Sequence, residues 1–145
     1  MAEPTLFSPP MLAFLAGPRF AVLASLDAGG APRQAVVWYR LDPDRTLVVN
    51  SAAGRTWPAN LRRDGRVALA VMSGIDGYSW LGLTGVVIEI IDDQAISQAD
   101  IAGLARRYHA DDPATAERMI ATVFGQQHRI SFRIHVTGIH DHLGG

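Results

Sequence analysis

The sequence predicts a mainly β fold, a small antiparallel barrel of about six strands with short helices inserted between them. Segments rich in β-favouring apolar residues recur along the chain. Clusters of Gly, Asp, Pro and Ser separate most of these segments, as is typical of tight turns. The chain has 145 residues, of which 48% are hydrophobic. One domain over residues 1–145 therefore suffices to bury a core of its own.

The first predicted elements are a short helix and two strands. An apolar run after two prolines predicts a brief helix over Met11–Leu15 that packs on the core. Arg19–Leu26 and Arg33–Leu41 are the first two predicted strands. The residues between them, Asp27–Gly30, are typical of a hairpin turn, so the two strands are expected to pair.

A third strand and a second helix follow. A turn at Asp42-Pro43-Asp44 leads into a predicted strand over Thr46–Ser51. The next residues are small and open onto a predicted two-turn helix over Trp57–Arg63. Thr56 is the expected N-cap, because a hydroxyl at that position accepts from the first backbone N–H groups, and Gly65 follows the end of the helix.

The second half of the chain predicts two more strands and a pair of helices. Arg66–Met72 and Ser79–Ile91 are predicted strands, and the second is long enough to bend across a barrel. Ile96–Tyr108 and Ala114–Phe124 carry apolar residues at helical spacing, which predicts two helices that pack together.

The last predicted strand alternates apolar and polar residues from Ile130 to Thr137, so that one face is buried and Ser131, Arg133, His135 and Thr137 face solvent. The residues after it, His140–Gly145, are expected to fray. A metal site is the alternative interpretation, with His135, His140 and His142 beside Asp141. These histidines lack the helical spacing of a zincin, so no metal is predicted.

The composition excludes several classes of function. The chain has 13 Lys and Arg residues against 14 Asp and Glu, a formal net charge of −1, which leaves no surplus of positive charge for nucleic acid. All basic residues are Arg, so lysine Schiff-base chemistry is excluded. There is no Cys, which excludes thiolate catalysis and cysteine-held metals. Neither a membrane-spanning stretch nor a secretory signal is recognisable, and a cytoplasmic protein is expected.

The stretch Asn50–Asp64 is the most informative for chemistry. Its small residues let the backbone approach a ligand, and Ser51 and Thr56 offer hydroxyls. Arg55 presents a planar fork to an oxyanion beside a helix N-terminus. These features predict a phosphate-binding cradle. The alternative is a surface loop whose arginine is only solvated, with Asn60 facing water instead of orienting the cradle.

Nearly the whole chain carries short motifs whose order is that of one known group of proteins. The motifs are Gly29-Gly30, Pro32-Arg33, Trp38-Tyr39, Asp42-Pro43, Ser51–Arg55, Asn60–Asp64, Arg66-Val67, Asp76–Trp80, Gly85, Ala105–Tyr108 and His128–Gly138. This order resembles the flavin-binding split-barrel superfamily, the pyridoxamine-phosphate-oxidase-like group. It resembles most the flavin- and deazaflavin-dependent oxidoreductases within that group.

The resemblance implies a homodimer of six-stranded split barrels with two clefts at the interface, each holding the deazaflavin coenzyme F-420 or FMN. It implies hydride transfer between reduced F-420 and a small unsaturated or conjugated acceptor. Several cofactor-binding residues are implied: Arg33, Ala35 and Val37 near the ring or ribityl chain; Asn50 and Ser51 along the cleft; Arg55, Thr56 and Asn60 at the phosphate; and Tyr78 and Trp80 from the partner chain. The alternatives are an FMN-dependent oxidase or reductase, a non-catalytic cofactor-binding protein, and a structural barrel with an empty cleft.

One position departs from the group. Several of its members have a Lys two residues after the position of Arg55, where it helps to bind the phosphate and acidic tail, and this chain has Trp57. Either an aromatic wall formed by Trp57 replaces this charge or the cofactor differs, and a third interpretation is that Trp57 packs as the first apolar residue of the helix. Arg62 and Arg63 are candidate replacements for the charge. The patterns Arg62-Arg63-Asp64 and Asp76–Trp80 resemble the F-420 branch and favour F-420 over FMN. Solvent, Tyr39 and Tyr78 remain alternative proton donors.

Overall fold

The computed structural model describes residues 6–144 as seven strands and four α-helices. The strands are β1 (Ala21–Leu26), β2 (Pro32–Val37), β3 (Arg40–Leu41), β4 (Leu47–Ala52), β5 (Arg66–Met72), β6 (Trp80–Ile91) and β7 (Arg129–His142). The helices are α1 (Pro9–Ala16), α2 (Thr56–Arg63), α3 (Gln94–Tyr108) and α4 (Pro113–Thr122), and a 3-10 turn covers Phe124–Gln126.

All seven strands form one antiparallel sheet in the order β2-β1-β5-β6-β7-β4-β3. The mainly β class and the antiparallel pairing are confirmed. The number of strands was predicted wrongly, because the expected strand Arg33–Leu41 is divided into β2 and β3. These two strands follow each other in the chain but occupy opposite edges of the sheet. The sheet is therefore curled, with its two edges joined by a two-residue connection.

Contacts with α3 explain why the strand is divided. The backbone N–H of Tyr39 donates to the Tyr108 hydroxyl at 3.0 Å instead of to a neighbouring strand. Trp38 stacks on the Tyr108 ring, with 5.0 Å between centroids. The Tyr39 side chain is fully buried, and its hydroxyl donates to the carbonyl of Leu15 at 3.0 Å. The connection between the two edges is thus held by α1 and α3.

The predicted turns at Asp27–Gly30 and Asp42-Pro43-Asp44 are confirmed. The Asp27 carboxylate accepts from the N–H groups of Gly29 and Ala31 at 3.0 and 2.9 Å. Gly30 has φ of +84°, a left-handed conformation that glycine adopts without strain. In the next turn the N–H of Asp42 donates to the Thr46 carbonyl at 2.8 Å.

Strand β6 bends as expected, and its register with β7 shifts between Thr84 and Gly85 and again between Val87 and Glu89. The prediction of a frayed tail is wrong as far as His142, because β7 continues to that residue and pairs it with Trp80. Ser131 was expected to face solvent and is fully buried, since α3 covers that part of the strand.

The helices are close to their predicted positions. Ser8 caps α1, whose Leu15 is buried in the core, and Asp93 and Asp112 cap α3 and α4. The prediction of Thr56 as the N-cap of α2 is wrong. The chain is still extended at Arg55, with φ −81° and ψ 161°, and becomes helical at Thr56, so that Arg55 occupies the capping position without a side-chain hydrogen bond.

Arg107 braces α1 against the sheet. Its guanidinium donates to the carbonyls of Leu15, Ala16, Gly17 and Tyr39 at 2.8 to 3.1 Å. Burial, and next the neighbouring Tyr108, raise the pKa of Tyr39 to about 12. Because the Tyr39 hydroxyl donates within the core and its pKa is raised, the structure does not favour Tyr39 as a proton donor.

Over residues 6–144, no helix has both the length and the apolar character that crossing a bilayer requires.

Candidate functional site

Two adjoining cavities contain nine of the eleven residues predicted for the site, and Trp57 lines both. The smaller cavity has a volume of about 190 Å³ and the larger, an open groove, about 960 Å³. Val37, Asn50, Ser51 and Arg55 line the smaller cavity. Arg33, Ala35, Thr56 and Asn60 line the groove. Most of the predicted residues thus line cavities, and the fold separates them into two compartments.

The smaller cavity opens at the N-terminus of α2. Arg55 lies there and is exposed, and within residues 6–144 its guanidinium makes no hydrogen bond or ion pair. Thr56 is also exposed at the first position of the helix. Unsatisfied N–H groups and the positive end of the helix dipole favour an anion at such a position. The mouth of the cavity is therefore suited to a phosphate or carboxylate.

The smaller cavity also contains Arg129, a residue that the sequence did not single out. Arg129 is the first residue of β7 and is 4% exposed. Its Nε donates to Asn50 Oδ1 at 2.9 Å and its Nη1 to Gln127 Oε1 at 2.6 Å. No carboxylate of the described residues lies within ion-pair distance of it. Burial, and secondarily the like charge of Arg55, lower the pKa of Arg129 to about 10, so it is still protonated at neutral pH.

Asn50 connects Arg129 to a buried polar network. The Asn50 Nδ2 donates to the Ser97 carbonyl at 2.9 Å and to Ser131 Oγ at 2.8 Å. Ser131 in turn donates to Asp100 Oδ2 at 2.7 Å. Both the Nδ2 and the Oδ1 atom of Asn50 are therefore hydrogen-bonded, and in the cavity Asn50 holds the Arg129 guanidinium in place.

Asp100 of α3 is the anchor of this network. Its carboxylate also accepts from Arg40 Nη1 at 3.0 Å and from Arg133 Nη1 at 2.9 Å. Burial raises the pKa of Asp100, but the hydrogen bonds from Ser131 and Arg133 and the nearby positive charges outweigh it and lower the pKa below its usual value. Asp100 is therefore ionised at neutral pH, and its charge is neutralised by Arg40 and Arg133 instead of Arg129.

Three polar residues of the larger groove, Asp27, Arg33 and Asn60, are paired with neighbours. Arg33 forms an ion pair with Asp27 at 2.9 Å and is largely exposed. Asn60 is 2% exposed, and its Nδ2 donates to Ser25 Oγ at 3.1 Å, which fixes α2 against β1. The two arginines offered as replacements for the missing lysine also have local partners: Arg62 pairs with Asp92 at 2.6 Å, and Arg63 donates to Asn60 and to the Leu26 carbonyl.

Trp57 belongs to the core. Its side chain is 8% exposed and packs against Phe132, with 5.5 Å between ring centroids. This geometry supports the packing interpretation of the position, although the ring also forms part of the wall between the two cavities.

Tyr78 and Trp80 lie outside both cavities of this chain. Trp80 stacks on His140 with 4.9 Å between centroids, and Tyr78 contacts the edge of His142 at 5.5 Å. Tyr78 is 64% exposed. The His-rich end of β7 is thus an aromatic cluster, and residues 6–144 contain no group of three side chains placed to hold a metal ion.

Comparison with known proteins gives this site a family context. Residues 7–142 match the family model described as pyridoxamine 5'-phosphate oxidase. An F-420H(2)-dependent biliverdin reductase of Mycobacterium tuberculosis (strain CDC 1551 / Oshkosh) is 33% identical over 110 residues, which is 75% of this chain and 77% of that protein.

Solved structures share the fold. An F-420 reductase superposes with a TM-score of 0.70 at 21% identity, covering 88% of this chain and 94% of the other. A conserved hypothetical protein of Mycobacterium tuberculosis gives 0.71 at 20% identity, covering 98% and 91%. The family resemblance inferred from the motifs is confirmed, and the chain belongs to the pyridoxamine 5'-phosphate oxidase family of oxidoreductases.

Proposed function

We propose that the protein is an F-420-dependent oxidoreductase that transfers a hydride to a small conjugated acceptor. The observation that carries the proposal is the smaller cavity, where Arg55 and Arg129 face a lining without any acidic residue. The anionic group of a cofactor fits this donor set. The similarity to an F-420H(2)-dependent biliverdin reductase favours the deazaflavin over FMN and favours an extended conjugated acceptor, with linear tetrapyrroles as the first class to test.

Arg55, Thr56 and the first N–H groups of α2 would hold the phosphate of the cofactor. Ala35 and Val37 of β2 would lie along its ring or ribityl chain. The reduced deazaflavin, when bound, supplies the hydride. The protein's contribution is to fix the orientation of the cofactor and to exclude water with the apolar walls that Trp38, Leu104 and Phe124 provide.

We further propose a homodimer in which Tyr78 and Trp80 of one chain cover the cofactor cleft of the other. An exposed apolar surface supports it: Phe20 is 63%, Val36 71% and Ile75 94% exposed, and all three line one groove of about 590 Å³. Monomeric proteins rarely expose contiguous apolar surface of this kind. Sedimentation equilibrium should give twice the chain mass, and a monomer at micromolar concentration would contradict the proposal.

Titration with the two cofactors tests the function directly. Purified protein is titrated with F-420 and with FMN, and ligand fluorescence or anisotropy gives the two dissociation constants. We expect tighter binding of F-420, followed by oxidation of reduced F-420 when biliverdin or another conjugated acceptor is added. Tighter binding of FMN would favour the FMN-dependent alternative. Binding of F-420 without turnover of any acceptor would favour a non-catalytic cofactor-binding protein.

Substitution of Arg55 tests the cradle. Arg55→Ala is expected to weaken cofactor binding by about 1.5–3 kcal/mol, about 10- to 150-fold in Kd, because charged hydrogen bonds to the phosphate are lost. The control is Arg66→Ala, since the Arg66 side chain is 72% exposed and lines neither cavity. Equal dissociation constants for Arg55→Ala and the control would remove Arg55 from the site.

A further inference from the structure

The smaller cavity contains a second positive charge that the proposed cradle at the helix N-terminus does not require. We propose that Arg129 is the inner contact of an oxyanion-binding subsite, which takes a phosphate or carboxylate attached to an apolar or aromatic body. The inference rests on the proposed function for the identity of the ligand, whereas the subsite itself follows from residues of this chain.

Arg129 has no counter-charge among the described residues. It is 4% exposed, and its guanidinium donates there to the neutral oxygens of Asn50 and Gln127. A buried charge is costly unless it is paired, so protein arginines at this depth normally face a carboxylate. The other buried charge nearby, Asp100, is already paired with Arg40 and Arg133. An anionic ligand would supply the partner that Arg129 lacks.

The Arg129 guanidinium is held in a fixed orientation. The chain of hydrogen bonds from Asp100 through Ser131 to Asn50 ends on Arg129 Nε. Arg129 also packs over the Phe124 ring, with 5.1 Å from its Cζ to the ring centroid. A binding group held in this way loses little conformational entropy when a ligand arrives. The network therefore preorganises Arg129 for contact with an anion.

The walls of the smaller cavity are largely apolar and aromatic. Trp38, Leu104, Met119 and Phe124 surround the two arginines in a volume of about 190 Å³. That volume suits one oxyanion with a small apolar or aromatic attachment and is too small for a whole cofactor. The anion can come from the cofactor, as its phosphate, or from the acceptor, as a carboxylate. Both sources offer the same oxygen pair to the guanidinium fork.

Gln127→Glu is the most informative variant. Gln127 accepts from Arg129 at 2.6 Å through Oε1, so a glutamate there gives Arg129 an internal carboxylate with almost no change in shape. We expect a higher Tm for this variant without ligand, and at least a tenfold weaker effect of added anions. Arg129→Met removes the charge and should abolish the anion effect.

The measurement uses inorganic phosphate and benzoate as probes, with sodium chloride at matched ionic strength as reference. Thermal unfolding of the wild type should shift upward with both probes. Arg118→Met is the matched control, because Arg118 also has no ion pair among the described residues but is exposed. An unchanged anion response in Gln127→Glu would overturn the proposal, as would an equal loss in Arg118→Met.

Two further comparisons identify the source of the anion. If the anion is the cofactor phosphate, Gln127→Glu weakens FMN or F-420 binding but not riboflavin binding. If it is an acceptor carboxylate, Gln127→Glu raises KM for the carboxylated acceptor but not for its methyl ester, and cofactor Kd stays the same. If Gln127→Glu changes neither the preference for FMN or F-420 over riboflavin nor the preference for the carboxylated acceptor over its methyl ester, the proposed ligand class is overturned. Because the probes require no cofactor, absence of F-420 and FMN binding would refute the proposed function and leave the subsite standing.

Discussion

Replacement of Asp100 by Ala is expected to lower the free energy of unfolding by about 3–5 kcal/mol. The carboxylate accepts from Arg40, Ser131 and Arg133 with distances of 2.7 to 3.0 Å, and its side chain is only 8% exposed. Its removal leaves a largely buried Arg133 without a counter-charge and Ser131 without its acceptor. Urea unfolding followed by tryptophan fluorescence measures the loss at pH 7.

The pH dependence distinguishes the charge of Asp100 from its packing. Although burial raises the pKa, the hydrogen bonds from Ser131 and Arg133 hold it below the usual 3.8 in the folded state. A lowered folded pKa means that the stabilisation is complete above about pH 4 and is lost as the pH falls through the folded pKa. The difference between wild type and Asp100→Ala should therefore shrink in acid. Asp111→Ala, at an exposed carboxylate, is the control and should show neither effect.

Gly85→Ala is expected to destabilise the protein by about 3 kcal/mol, because a buried overlap must be relieved by moving backbone. Gly85 lies at the first register shift between β6 and β7. A Cβ there would overlap the backbone carbonyl oxygen of His135 and approach Ile134 Cγ2 to 3.1 Å. Neither contact is with a flexible side-chain end, so the two strands would have to separate locally.

Gly103→Ala is the opposite case and serves as its control. Gly103 is exposed in the interior of α3, and a Cβ there meets no atom within 4 Å. Alanine at such a position should stabilise the helix by about 0.5–1 kcal/mol. Opposite signs for the two substitutions in chemical denaturation would show that close packing at the β6 bend, and not loss of backbone flexibility, sets the effect. A neutral Gly85→Ala would contradict the close approach.

Most strands of the sheet could be predicted from the sequence because the residues of the turns between them are recognisable. Asp27–Gly30 and Asp42–Asp44 carry their own hydrogen bonds, so local residues determine where those strands end. The interruption between β2 and β3 at Trp38 and Tyr39 could not be predicted, because both residues are aromatic and favour strands. That break is caused by Tyr108, about seventy residues later in the chain. Contacts of this kind depend on how α3 packs and leave no local signal.

In the candidate site, too, residues in a local motif could be predicted and residues that depend on distant contacts could not. Arg55 was predicted as a candidate because it precedes a helix in a run of small residues. Arg129 was not, because it shares a strand face with Ser131 and Arg133 that alternation assigns to solvent. Helix α3 covers that face and turns exposed positions into the buried network around Asp100. Residues of the site that depend on helix placement were therefore beyond the reach of sequence patterns.

The opposite positions of β2 and β3 have a consequence for how a ligand reaches the interior. The smaller cavity is lined by Val36 and Val37 of β2 on one side and by Asn50 and Ser51 of β4 on the other. These strands are not paired with each other in the sheet, so no ladder of backbone hydrogen bonds joins them along this seam. Parting the seam breaks no interstrand backbone hydrogen bond. We therefore expect a ligand to widen the molecule here while the amide hydrogens of β1, β5 and β6 keep their slow exchange with water.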